Sequence, residues 1–243
     1  MIWVFEGSPS TGTRRQFIRQ FSAYDKTKNP GLLHPFGFAF AEKNAEVFVS
    51  SQNANIVVRY EYPNGSLMEL PLALREKSGD FLPSTFVANS ALVGKSMGLK
   101  SVRGVIYEPN ENVLYVSDKS ENSVKRYAAD TGDLLDVISD ASLVTPVQMA
   151  FSEDGTTLYI GSISGNSVYS WNRLSKQFRT LVSPKNNAGL TQPSGIAVSG
   201  KWLYVGSRGT KQILRYDLID GTPDPAGPFI DNMPDQPEFL LFQ

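Results

Sequence analysis

The chain has 243 residues, and 41% of them are hydrophobic, which is enough apolar content for one large domain with a buried core. Its formal net charge of −1 argues against electrostatic attachment to nucleic acid or to an anionic membrane surface. No apolar run is long enough to span a bilayer, and the lack of cysteine excludes disulfides and thiolate chemistry.

In chain order, the first predicted elements are two short strands, Met1–Glu6 and Arg15–Phe21. Four longer segments follow, each reading as three strands joined by turns, and they begin at His34, Ser101, Thr145 and Gln192. The last segment is the clearest, with strands at Gly195–Val198, Trp202–Val205 and Gln212–Tyr216. Because a three-stranded meander of this size cannot bury its own apolar faces, the segments are expected to stack against one another.

A fourth strand is predicted after each segment, at Ser66–Leu72, Asp133–Ile138, Gln177–Val182 and, interrupted by prolines, Ala226–Ile230. The C-terminal fragment Pro237–Phe242 reads as a first strand without a second, whereas the N-terminal strands read as a second and a third without a first. The simplest interpretation is that both chain ends share one blade. Such a blade would close a ring and remove the exposed edges of an open array.

The spacing of the repeats predicts the fold class. Equivalent positions are separated by 67, 44, 47 and 44 residues and are Gly37, Gly104, Gln148, Gly195 and Phe239. Because a four-stranded blade occupies about 40–50 residues, we expect an all-β protein, a five-bladed β-propeller closed by pairing of the N- and C-terminal strands in one blade. The single domain spans 1–243, with a closing blade at 1–30 plus 236–243 and blades at 34–72, 99–138, 143–182 and 190–230.

The interval 73–98 is an insertion that is too apolar for a free linker. We expect it to pack as a lid over the end of the channel that carries the longer loops, and the alternative is packing against a blade flank. The loops joining second to third strands are long and varied, whereas the other hairpin turns are tight. Any site is therefore expected at the loop-rich end, the channel mouth.

Two runs of sequence, LYVSDKSENSVKRYAADTGDLLDVI and GLTQPSGIAV with the following LYVGSRGTKQILRYD, resemble the NHL, YVTN and SMP-30/gluconolactonase-like group of β-propellers. The resemblance covers four repeats and the closing strand. It implies the architecture, and it implies a binding scaffold, a lactone hydrolase or a lyase, because the group includes all three. It also favours an extracellular or periplasmic location.

The first strand of each blade is expected to line the channel, with one side chain facing the mouth at Phe36, Arg103, Val147, Ser194 and Glu238. His34, the only histidine, comes just before the first of these positions. A carboxylate beside a histidine, with a cation next to both, is what a general base and its orienting partner require. His34, Glu238 and Arg103 are therefore the candidate catalytic residues. The alternative is that Arg103 and Glu238 form an ion pair across the mouth while His34 is solvated.

Candidate ligand contacts are Phe36, Gln148, Ser194, Asp118 and Arg208. Asp118 follows a second strand, where the resemblance implies an aspartate, and structural capping of the loop is its other predicted role. The resemblance to SMP-30-like enzymes implies a metal held by carboxylates and amides, but the matching positions supply Glu238 alone, and calcium prefers six or more oxygens. Zinc would need more ligands than His34. We therefore expect no metal and no other cofactor.

Two functions remain open from the sequence. The first is a rigid binding module that recognises a small molecule, a glycan or a protein at the loop-rich face. The second is a metal-independent lyase or lactone-type hydrolase in which His34 and Glu238 act as the acid/base pair and Arg103 holds an anionic substrate. Neither function involves nucleic acid or a membrane.

Overall fold

The computed structural model describes residues 2–5, 17–22, 26, 31–42, 45–61, 85–94 and 97–240. Across these ranges the chain forms seventeen β-strands and one helix of a single turn, so the predicted all-β class is confirmed. Within the same ranges no helix is long and apolar enough to cross a membrane.

The chain begins with a two-stranded antiparallel sheet of β1 (Ile2–Phe5) and β2 (Phe17–Ser22). The first blade follows, with β3 (Pro35–Ala41), β4 (Glu46–Ser51), β5 (Ile56–Glu61) and β6 (Thr85–Val87). The helix α1 (Ser90–Val93) leads to the second blade, with β7 (Val102–Glu108), β8 (Val113–Asp118), β9 (Ser123–Ala128) and β10 (Leu134–Ser139).

The third blade contains β11 (Pro146–Phe151), β12 (Thr157–Ser162), β13 (Ser167–Asn172) and β14 (Phe178–Val182). The fourth blade contains β15 (Pro193–Ser199), β16 (Trp202–Ser207) and β17 (Gln212–Asp217). The first strand of each blade, its inner strand, contacts the inner strand of the next blade along the series β3, β7, β11 and β15.

Burial follows the position of each strand within its blade. All six residues of β4 and of β8 are buried, because another blade or strand covers each face. The outermost strand β10 is mostly exposed. The apolar clusters lie between blades: one of them joins Phe48 and Val57 of the first blade to Val105 and Leu114 of the second.

Glycine allows the inner strands to pack closely. A β-carbon on Gly37 would lie 3.2 Å from the amide nitrogen of Val105, and one on Gly104 would collide with the carbonyl oxygen of Val147. In the fourth blade, a β-carbon on Gly195 would lie 2.8 Å from the amide nitrogen of Leu240. The C-terminal segment therefore packs against β15 in the way that each inner strand packs against its predecessor.

The described residues form four blades, whereas the sequence predicted five. Residues 236–240 form no strand, and β1 pairs with β2 alone among the described strands, so the predicted pairing of the chain ends is not found. The segment contains Pro237, which has no N–H to donate to a ladder, and its carbonyl accepts a hydrogen bond from the Ser194 hydroxyl instead. Residues 241–243 lie outside the described ranges.

The outer strand of the first blade is β6, which lies within the segment predicted to be an insertion. Phe86 of this strand packs against Phe48, with ring centroids 4.9 Å apart, and belongs to the cluster between the first two blades. β6 therefore belongs to the first blade as its outer strand, and Phe86 packs on the flank of that blade. The lid over the mouth stays a prediction. The predicted strand Ser66–Leu72 lies outside the described residues.

The outer edge of the fourth blade is covered without a regular strand. The backbone of β17 makes isolated bridges, Ile213 with Ile230 and Tyr216 with Pro223, as expected for a segment interrupted by prolines.

Candidate functional site

A cavity of about 430 Å³ opens at the loop-rich end of the channel, and we call it the mouth cavity. All four blades and the C-terminal segment contribute to its lining. The inner strands supply three of the side chains that the sequence predicted to face the mouth, Phe36, Arg103 and Val147. The candidate residues His34, Gln148, Arg208 and Glu238 line the same cavity.

A β-bulge at the start of each inner strand places these side chains. The pairing register shifts between Pro35 and Phe38 in β3 and between Val102 and Val105 in β7. Equivalent shifts occur in β11 and β15. Because a bulge rotates one residue away from the regular alternation of a strand, it turns Phe36 and Arg103 toward the mouth.

Buried serines hold the first two bulges in place. The hydroxyl of Ser50 accepts a hydrogen bond from the amide of Gly37 at 2.8 Å. The hydroxyl of Ser117 accepts one from the amide of Gly104 at 2.8 Å and donates to the carbonyl of Val147 at 2.6 Å. The second contact joins the second blade to the third, so the lining residues Arg103 and Val147 have a fixed relative position.

A second ring of lining residues comes from the position directly after each second strand, and it consists of Gln52, Lys119, Ile163 and Arg208. In each blade the amide of this residue donates to the carbonyl of the residue that leads into the inner strand, for example Gln52 to His34 at 3.0 Å and Lys119 to Ser101 at 2.9 Å. The repeated bond holds each loop over the mouth. Sequence reasoning missed Lys119, Gln52 and Ile163, although the repeat alignment carries the signal.

Arg103 is the half-buried cation of the mouth cavity. Its Nη1 donates to the carbonyl of Val102 at 2.7 Å, and its guanidinium carbon lies 6.0 Å from the ring centroid of Phe36. Among the described residues no carboxylate lies within ion-pair distance of this guanidinium. Burial lowers the pKa of Arg103, and the negative charge of Asp118 offsets this only in part.

Gln148 is the buried amide of the same cavity. Its side chain is 4% exposed, and its amide group has no hydrogen-bond partner among the described residues. The corresponding position is glycine in the other three inner strands, so this side chain is an addition that the packing of the blades does not require. A β-carbon on Gly104 would lie 3.0 Å from its Oε1, which places the amide beside the residue that follows Arg103.

Glu238 forms an ion pair with Arg208 and not with Arg103. The distance from Arg208 Nε to Glu238 Oε1 is 2.8 Å, and Arg208 Nη2 donates to Gln236 Oε1 at 2.9 Å. The alternative prediction, an ion pair between Arg103 and Glu238, is therefore wrong. Arg208 reaches the carboxylate because the loop after β16 lies directly beside the C-terminal segment.

His34 lines the mouth cavity with an exposed side chain. Its backbone is left-handed, with φ 57°, as it is at Thr145 and Gln192, the equivalent positions of the third and fourth blades. The conformation thus belongs to the turn that starts an inner strand. It imposes no requirement for an imidazole, although the ring is free to contact a ligand.

Two predicted ligand contacts lie outside the lining of the mouth cavity. Asp118 is fully buried, and its carboxylate accepts hydrogen bonds from the amides of Lys100 at 2.8 Å and Ser101 at 3.0 Å, with Lys125 Nζ 3.5 Å away. These contacts agree with the other predicted role of Asp118, structural capping of the loop. Ser194 is also buried and donates to the carbonyl of Pro237, so it anchors the C-terminal segment.

A second cavity, of about 500 Å³, lies between the third and fourth blades. Its principal polar groups already have partners: Arg179 donates to Ser170 Oγ at 3.0 Å and to the carbonyl of Ile219, and Tyr159 donates to the carbonyl of Leu218 at 3.4 Å. The mouth cavity differs because Arg103 and Gln148 retain hydrogen-bonding groups that the described structure does not use.

The donor groups of the mouth cavity determine its chemistry. Across the described residues, no three His, Cys, Asp or Glu side chains are grouped to hold a metal ion. The lining instead combines guanidinium, ammonium and amide groups with the rings of Phe36 and Phe239. Such a lining can bind an anion and cover an attached apolar group.

Comparison with known proteins shows the fold. No family model matches the chain, and no curated protein resembles its sequence significantly. A chain of the Nidogen/Laminin complex structure has 15% sequence identity and a TM-score of 0.59, and the match covers 88% of this chain and 67% of that one. Hydrazine synthase of Kuenenia stuttgartiensis has 16% identity and a TM-score of 0.59, and the match covers 83% of this chain and 51% of that one. This chain therefore spans about half the length of the second neighbour.

The four stacked blades and these two neighbours define the class of protein as a β-propeller. At such low identity the similarity shows the fold alone.

Proposed function

We propose that this β-propeller is a rigid binding module that takes a small anionic molecule in the mouth cavity. The observation that carries the proposal is Arg103, a half-buried cation without a carboxylate partner among the described residues. A buried charge costs stability unless a partner compensates it. A bound anion would supply that partner.

The charges of the lining support an anionic ligand. Arg103, Lys119 and Arg208 are cationic, whereas Glu238 is the one carboxylate of the lining, and Arg208 already neutralises it. The two remaining cations would attract an anion into the cavity. A volume of about 430 Å³ is within the usual range for small-molecule sites.

The architecture supports a rigid site. The bulges that carry Phe36 and Arg103 are held by hydrogen bonds that backbone amides donate to buried serines, and the loop residues by a bond repeated in every blade. A pre-organised site loses little conformational freedom when the ligand binds.

Isothermal titration against a panel of small anions and their neutral analogues tests this proposal. Anions should bind, and Arg103→Met should weaken them about tenfold or more. The matched control is Lys185→Met, which removes one positive charge from an exposed site outside the cavity. Equal losses in both variants, or no binding of any anion, would contradict the proposal.

A protein could also present the anion, since one structural neighbour comes from a Nidogen/Laminin complex. The volume of the mouth cavity, about 430 Å³, favours a small molecule. The affinity of a protein that covered the rim of the cavity would depend on exposed loop residues in addition to Arg103. Loss of affinity on substitution of those loop residues would identify a protein ligand.

The enzymatic alternative rests on the presence of His34, Arg103 and Glu238 in one cavity. In this second candidate function, a metal-independent lyase or lactone-type hydrolase, His34 and Glu238 exchange protons with a substrate held by Arg103. The ion pair of Glu238 with Arg208 disfavours it, because the carboxylate is already engaged. The test is His34→Asn, which removes the imidazole but suits the left-handed backbone; retained turnover would exclude this chemistry.

A further inference from the structure

We infer that the anion of the mouth cavity is a small carboxylate with a hydroxyl or carbonyl oxygen on the neighbouring carbon. The inference rests on the proposed function and adds the class of ligand to it. Two described groups carry it, the free edge of the Arg103 guanidinium and the unpartnered amide of Gln148.

The geometry of Arg103 favours a carboxylate. Its Nη1 is engaged by the carbonyl of Val102, while Nε and Nη2 have no partner among the described residues. These two nitrogens donate in parallel along one edge of the guanidinium, and their spacing matches the two oxygens of a carboxylate. A carboxylate uses both of its oxygens at this edge, whereas a phosphate carries three terminal oxygens and leaves one of them without a donor from Arg103.

The amide of Gln148 supplies the second contact. It is almost fully buried, lines the mouth cavity and has no partner within the described structure. Its Oε1 would lie 3.0 Å from a β-carbon on Gly104, so it is next to the backbone that carries Arg103. An amide both donates and accepts, so it can bind a hydroxyl or a carbonyl oxygen next to the carboxylate.

The rest of the ligand meets apolar side chains. Phe36, Val147 and Ile163 line the cavity, and Phe239, which is 51% exposed, adds a further apolar ring to the lining. A compact apolar or aromatic substituent on the carboxylate would cover this surface. Mandelate, an aromatic 2-hydroxy carboxylate, combines all three features and is therefore the probe.

The experiment is isothermal titration, supported by ligand-observed NMR for weak binding, with four probes at up to millimolar concentration. Mandelate has the full set of groups, phenylacetate lacks the hydroxyl, mandelamide lacks the charge, and phenyl phosphate replaces the carboxylate. We expect mandelate to bind about tenfold more tightly than each of the others. Gln148→Leu should remove the advantage of mandelate over phenylacetate, and Arg103→Lys, which keeps the charge, should weaken both carboxylates.

The outcomes separate the two levels of the proposal. Phenyl phosphate binding as tightly as mandelate, or an unchanged preference in Gln148→Leu, would overturn the inference and leave an anion-binding module. A failure of all four probes would overturn the inference, and a failure of every other anion of the panel as well would overturn the proposed function. Thermal unfolding of each variant shows whether it is folded, and Lys185→Met provides the control for charge.

Discussion

An arginine at the interface between the second and third blades and an arginine in the mouth cavity have opposite surroundings. Arg126 at the interface is buried, and Arg103 at the mouth is half-buried. At the interface, Arg126 lies 2.6 Å from Glu111 and 2.5 Å from Asp136, and its guanidinium carbon lies 5.1 Å from the ring centroid of Tyr115. At the mouth, Arg103 has a backbone carbonyl and a more distant ring.

The pKa directions of the two arginines follow from these surroundings. Burial lowers the pKa of both side chains. For Arg126, the charges and hydrogen bonds of Tyr115 and Asp136 outweigh burial and raise the pKa, whereas for Arg103 the negative charge of Asp118 does not. Arg126, a cation that serves packing, is neutralised by neighbouring carboxylates. Arg103, which is left without a carboxylate partner among the described residues, is therefore available to a ligand.

The largest effect on stability is expected for Arg126→Met. The substitution removes two ion pairs and the contact with Tyr115, but Glu111 and Asp136 are partly exposed and can be hydrated again. We expect the free energy of unfolding to fall by about 2 kcal/mol, measured in urea, with ligand binding unchanged. A loss of binding equal to that of Arg103→Met would remove the distinction between the two sites.

Arg103→Met should have the opposite effects to Arg126→Met: little change in stability and a clear loss of ligand affinity. It removes a half-buried cation without a carboxylate partner, so the free energy of unfolding should change by no more than about 0.5 kcal/mol. Affinity for a carboxylate should fall about tenfold. Parallel urea and titration measurements on the Met variants of Arg103 and Arg126 give the comparison directly. Loss of about 2 kcal/mol in Arg103→Met would show that this side chain serves packing.

A smaller effect is expected at His34, where the left-handed backbone and the imidazole can be separated. His34→Ala should lower the free energy of unfolding by about 1 kcal/mol, whereas His34→Asn should leave it nearly unchanged. In a binding module, both variants should retain affinity for the anion. Affinity lost in both variants alike would assign the imidazole to the ligand site.

The smallest effect on stability is expected for Gln148→Leu. Because the residue is 4% exposed and its amide has no partner among the described residues, an apolar side chain of similar size should leave stability unchanged or raise it by no more than about 0.3 kcal/mol. Thermal unfolding measures the change. A clear loss of stability would mean that the amide has a structural partner and is not kept for a ligand.

Much of the fold could be predicted because each repeat combines an apolar run with a tight turn. The strand predicted at Trp202–Val205 is observed at Trp202–Ser207, and the strand predicted at Arg15–Phe21 is observed at Phe17–Ser22. Both predictions lie within two residues of the observed bounds. The predicted number of blades was wrong because an apolar run of sequence does not show whether its backbone forms hydrogen bonds with a neighbouring strand. The described part of the C-terminal run packs against Gly195 but forms no ladder.

The candidate site could be predicted in part. Alignment of the inner strands identified Phe36, Arg103, Gln148 and Glu238, which the structure brings into one cavity. The partner of Glu238 could not be predicted, because the ion pair with Arg208 depends on how two loops meet in space. At the end of β8 the prediction was one residue short: the Asp118 carboxylate is buried against backbone amides, and Lys119 is the residue that lines the cavity.

The most direct test of the account is side-chain NMR of arginine during a titration with mandelate. Arginine Nε–H resonances can be assigned to Arg103 and Arg126 by their loss in the corresponding lysine variants. A ligand that engages the free edge of Arg103 should shift its Nε–H resonance in a saturable manner and leave that of Arg126 in place. Binding that leaves the Arg103 resonance unmoved would contradict the central claim that this guanidinium holds the ligand.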